Sequence, residues 1–116
     1  MTVGRKESLS FLIKPSGEIV PAMPNEEEFS VEQIRDHVAG RPELICITCD
    51  GFLLFRDRDA IAKGLPLNPL ATSVYLKYAR RPCPVNGLVF LAHPHHVAPY
   101  WRRKLHTGTE RSRRVA

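Results

Sequence analysis

Three groupings in this chain have the residue types and spacing to do chemistry. The first is Cys46-Ile47-Thr48-Cys49-Asp50-Gly51, a Cys-x-x-Cys with a following Gly, as in a zinc knuckle. Tetrahedral zinc takes four thiolate or imidazole ligands, so this half-site would need Cys83 and one of His93, His95 or His96. The run around the pair is β-rich, and residues three apart on a strand point to opposite faces. Only a tight turn beginning at Ile47 would bring both sulfurs to one ion. No second Cys-x-x-Cys exists in the chain. Small buried cysteines in a β run are the commoner case, so Cys46, Cys49 and Cys83 are expected in the core, without metal or other cofactor. No helix start follows the pair to lower a thiol pKa, which leaves redox chemistry without support.

The second grouping is His93-Pro94-His95-His96. Such a dense set of imidazoles can hold a transition metal or titrate near neutral pH. A His-rich tract is also a purely compositional signal, and a surface loop with no role explains it as well. The third is Lys63-Gly64-Leu65-Pro66-Leu67-Asn68, which runs into a helix start. Free backbone N–H groups and the helix dipole there can accept an anion, with Lys63 and Asn68 beside it. Turn-shaping by Gly64 and Pro66 and capping by Asn68 account for every residue but Lys63.

Nothing in the chain assembles a nucleophile. There is no Gly-x-Ser-x-Gly elbow, Walker loop or dinucleotide glycine pattern. Asp57 and Asp59 alternate with Arg56 and Arg58 at a hairpin end, which reads as a solvated turn. The expectation is a protein that is not an enzyme.

A chain of 116 residues fits one domain. Apolar residues at 43% and charged residues at 25% are ordinary globular values. No apolar run approaches the ~20 residues of a membrane span, and no secretory signal is evident, so a cytoplasmic location is expected. The net charge of +5 is unevenly placed. Residues 1–99 hold eleven basic and eleven acidic side chains, whereas residues 100–116 hold six basic ones against Glu110. A basic tail on a neutral body attracts polyanions or acidic protein surfaces. Tyr100 and Trp101 next to Arg102, Arg103 and Lys104 could stack on bases and contact phosphates, with Arg111, Arg113 and Arg114 adding charge. Equally, the two aromatics could pack on the body and leave the basic residues solvated. The chain divides into a flexible N-terminus (1–7), one domain (8–99) and the basic tail (100–116).

Within the domain, residues 8–14 and 18–22 read as a hairpin across Pro15-Ser16-Gly17. Pro21 and Pro24 make the second strand an edge or end it early. Ser30 and Gln33 form a capping box, and Phe29 and Ile34 a hydrophobic staple, for a helix over 31–39 that carries Val31, Ile34 and Val38 on one stripe. Gly40 is placed for the left-handed C-terminal position, and Pro42 stops continuation. Residues 43–49 and 52–56 flank Asp50-Gly51 as a second hairpin, apolar enough on both strands to be central. Asn68-Pro69 starts a helix over 69–79 with Leu70, Ala71, Val74, Tyr75 and Tyr78 on its stripe. Residues 87–92 form a last strand. The order ββαββαβ predicts an α+β fold, a mainly antiparallel sheet of about five strands with its two helices on one face.

The segment Lys63-Gly64-Leu65-Pro66-Leu67-Asn68-Pro69-Leu70-Ala71-Thr72-Ser73-Val74-Tyr75 resembles a family of small uncharacterised proteins carried by bacteriophages, plasmids and other mobile elements. Gly17-Glu18-Ile19, Gly40, Asp50-Gly51 and Gly87-Leu88-Val89 fall in that family's order, so the resemblance covers about residues 8–92. The acidic loop Asn25–Glu28 and the chain beyond His93 depart from it. The resemblance implies a mobile-element accessory protein and supplies no catalytic residues. The expected function is to bind and modulate a host or element-encoded protein, with counter-defence inhibition as one form. Nucleic-acid binding by the tail is the alternative.

Overall fold

Gly17 closes the first hairpin with a positive φ of 96°, a conformation that L side chains resist. It joins β1 (Ser10–Ile13) to β2 (Ile19–Ala22) in the computed structural model, which describes residues 9–79 and 83–101. The chain continues through α1 (Val31–Val38), β3 (Pro42–Ile47), β4 (Leu53–Asp57), α2 (Pro69–Leu76) and β5 (Val89–Ala92) to a 3₁₀ turn at Pro94–His96. This is the predicted α+β order. The five strands form one sheet, β2-β1-β5-β4-β3, in which every pairing is antiparallel.

The two helices lie on opposite faces of this sheet, not on one face as predicted. Strand alternation puts Leu53, Phe55, Phe90 and Ala92 on one side, where Ile34 and Val38 of α1 cover them together with Phe29, Val97 and Trp101. Leu54 and Val89 point the other way and meet Ala71 of α2 with Ile13, Cys46 and Val85. Two covered faces also explain why the β3 and β4 runs are nearly continuously apolar. β4 is central as expected. β3 is an edge, and its register shifts between Leu44 and Cys46, so Leu44 faces α1 while Cys46 faces α2.

Both sheet edges end on a proline whose nitrogen points outward. Lys14 donates to Glu18 O at 2.9 Å, and bonded and non-bonded pairs alternate from there, so Ile19 and Pro21 turn their nitrogens away from β1. On the other edge Arg58 donates to Arg41 O at 2.8 Å, which leaves the Pro42 nitrogen facing away from β4.

The start of α1 is built as its residues demand. Gln33 N–H donates to Ser30 Oγ at 3.1 Å, and Ser30 N–H donates to Gln33 Oε1 at 3.2 Å. Its end differs from expectation by one residue. Ala39, not Gly40, takes the left-handed conformation (φ 56°, ψ 43°), while Ala39 N–H and Gly40 N–H close on Asp36 O and Arg35 O. Left-handed backbone costs a non-glycine residue about 1–2 kcal/mol. Ala39→Gly should therefore stabilise the protein by about 0.5–1 kcal/mol after the added chain entropy of Gly, read as a higher urea midpoint.

Candidate functional site

α2 is short and carries no charge from Pro69 to Leu76. Its anchor is Asn68, which is fully buried. Asn68 Oδ1 accepts from Ala71 N–H at 3.1 Å, and Asn68 Nδ2 donates to both Ile13 O and Gly87 O at 2.9 Å. One side chain thus caps the helix and ties it to β1 and to the loop before β5. Lys63 is also engaged: its ammonium meets Asp57 Oδ2 at 2.7 Å and Ala39 O at 3.4 Å. The anion-accepting reading of this helix entrance loses its two named groups to internal partners. Asn68 presents no polar atom to solvent, and the Lys63 charge balances a carboxylate.

That carboxylate is the residue the sequence reading missed. Asp57, expected in a solvated turn, is 1% exposed. Its Oδ1 accepts from Asp59 N–H at 3.0 Å and Arg41 N–H at 3.2 Å. Burial pushes its pKa up, but Lys63 and the two amides outweigh that and hold it below the usual carboxylate range. Asp59 pairs through both oxygens with Arg41 at 2.7 Å. The signal for this hub was present as Asp-x-Asp at the end of an apolar strand, the pattern of a side chain bonding its own backbone two residues on. An open cleft of about 700 Å³ lies beside it, lined by Arg35, Asp36, Arg41 and Lys63 among others.

The three cysteines surround α2 without converging. Cys46 is buried in the sheet, and burial pushes its thiol up to about 11. Cys49 is exposed, with its sulfur 3.6 Å from the Tyr78 hydroxyl. The Cys83 thiol neighbours Tyr75, whose pKa is raised first by burial and then by that thiol. The His93 ring packs against Phe52 and His96, and its amide donates to Ser10 Oγ at 2.8 Å. Among the described residues no three His, Cys, Asp or Glu side chains are placed to hold an ion. Cys49 is at the surface, not in the core as expected.

His96 and His37 pack inward, whereas His95 is exposed. His96 is buried against Phe29, with ring centroids 5.7 Å apart. His37 stacks on Phe90 at 4.7 Å. Trp101 is 6% exposed and meets Phe55 edge-on at 5.1 Å, so its ring is part of the core. Base stacking would fall to Tyr100, which is half-exposed. Arg102, Arg103, Lys104, Arg111, Arg113 and Arg114 lie outside the described residues.

The outer side of α2 and the residues flanking it carry a group of exposed apolar side chains. Ala71 alone of this helix is fully buried. Of its predicted stripe, Leu70 and Tyr78 face solvent at 36% and 38% exposure, and Leu67 and Leu76 join them at 49% and 46%. Ala71 packs into the sheet-side cluster with Tyr75 beside it, and larger side chains are left outside. No helix among the described residues is long and apolar enough to cross a membrane. No family model, curated protein or solved structure matches this chain.

Proposed function

We propose that this protein is a non-enzymatic accessory protein that binds and modulates a protein partner through the outer face of α2. One observation carries this reading: an uncharged helix exposes Leu67, Leu70, Leu76 and Tyr78 around a single buried alanine. Helices apolar on all sides are usually covered on all sides, and grouped exposed apolar side chains mark interaction sites. The segment that resembles mobile-element proteins, Lys63–Tyr75, supplies Leu67 and Leu70 of this surface. Inhibition of a host defence component is the finer form of the proposal, and it rests on that resemblance.

Co-purification from bacterial lysate, run with and without nuclease, tests the reading. The wild type should retain a protein partner after nuclease treatment. Leu70→Glu with Leu76→Glu should weaken that association at least about tenfold, since each exposed leucine withdrawn from water contributes on the order of 1–2 kcal/mol. Unchanged binding by the double variant would remove α2 from the interface. Binding that nuclease abolishes, and that a chain ending at Trp101 lacks, would favour the nucleic-acid alternative. The chain should end there and not at Pro99, because Trp101 belongs to the core.

A further inference from the structure

Ser10 is fully buried and has two partners near its hydroxyl. The His93 amide donates to Ser10 Oγ at 2.8 Å, and His96 Nδ1 lies 2.8 Å from the same oxygen. With His96 neutral and its proton on Nε2, Nδ1 is the acceptor for the Ser10 hydroxyl proton, while the hydroxyl oxygen accepts from the His93 amide. The same turn is held from its other side, where Phe29 N–H donates to His96 O at 2.8 Å. Downstream, Trp101 seats against Phe55. Residues 93–101 thus form a strap over the α1 face of the sheet, tied at its start by Ser10 and Phe29 and at its end by the indole.

We propose that this strap is a pH-operated clasp, closed while His96 is neutral and opened when a proton on Nδ1 takes the acceptor away from the buried Ser10 hydroxyl and puts a charge into the core. The titratable neighbours act in the same sense. His93 and His95 belong to the strap itself, with His93 centred 5.3 Å from His96. From α1 comes His37, which shares Phe29 with His96 and has Asp36 beside it. β1 contributes Ser10, while β4 and β5 contribute Phe55 and Phe90, which carry no charge. Burial lowers the pKa values of His96, His93 and His37, with repulsion from the neighbouring imidazoles adding to it for His96 and His93. Asp36 opposes this only at His37. The sign follows: the unfolded chain takes up protons near 6.5 while the closed clasp resists them, so the clasp is secure above that value and weakens as pH falls through the lowered ones.

Trp101 is the only tryptophan in the chain and reports directly on the strap. The full-length protein titrated from about pH 8 to about pH 5 should show a red shift of its emission while far-UV circular dichroism holds. His96→Asn keeps an acceptor where Nδ1 stands but cannot charge, so it should match the wild type near pH 8 and lose the red shift in acid. If that variant fails to fold, His93→Gln, which removes one proton-binding site, should make the transition shallower. Emission that does not move with pH overturns the clasp. So does emission that moves only together with the circular dichroism, or a transition with the same slope and midpoint in whichever variants fold.

Discussion

Asn68→Asp is expected to cost about 3–5 kcal/mol, although Asp caps a helix as well as Asn does. The cap would survive, because either Oδ can accept from Ala71 N–H. The loss comes from the other end of the side chain. Nδ2 donates to Ile13 O and Gly87 O, and a carboxylate oxygen there would face two carbonyl oxygens in a site closed to water. Asn68→Ala removes the cap and both ties without burying a charge, and should cost less, about 2–3 kcal/mol. Urea unfolding followed by circular dichroism separates the two through their midpoints at equal slope. If Asp proves as benign as capping statistics suggest, the ties to β1 and to the loop before β5 contribute little.

Gly40→Ala should be about as damaging, at roughly 3 kcal/mol or more. Gly40 has no left-handed backbone to protect; its requirement is room. A Cβ at this position would lie inside the Asp57 carboxyl group. That carboxyl is a short, buried side chain held by two amides and the Lys63 ammonium, so it cannot swing aside without breaking all three bonds. Combining the change with Asp57→Ala gives a sharp check. The double variant should cost little more than Asp57→Ala alone, because the obstacle is gone. Strictly additive losses would mean that Gly40 matters for some reason other than Asp57.

The contrast between these two sites shows what the sequence made legible. Asn68 was readable as a cap because Asn-Pro before an apolar stripe encodes a local rule. Its two ties to distant carbonyls were not, since a partner 55 residues away leaves no mark on local spacing. Gly40 was read through the commonest use of glycine after a helix, and the close approach of Asp57 across 17 positions was invisible for the same reason. Ser30, Gln33, Phe29 and Ile34 were legible in full, because capping box and staple are closed within five residues. The order of elements along the chain was predicted, but the order of the strands in the sheet was not read, and the one-face placement of the helices was wrong. The doubly apolar runs of β3 and β4 already called for a cover on each face, and this outweighs the one-face layering that the element order suggested. The outer side of α2 escaped because Leu70 and Tyr78 fall on a stripe that periodicity alone assigns inward.

The outward prolines of the two edge strands decide how this protein can be recognised at all. A partner that extends a sheet does so by donating a strand and pairing main chain to main chain, which needs an uninterrupted row of N–H groups on the receiving edge. Pro21 and Pro42 each remove one donor from such a row. Main-chain templating, by a foreign peptide or by another copy on the way to a fibril, is thereby discouraged at both ends of the sheet.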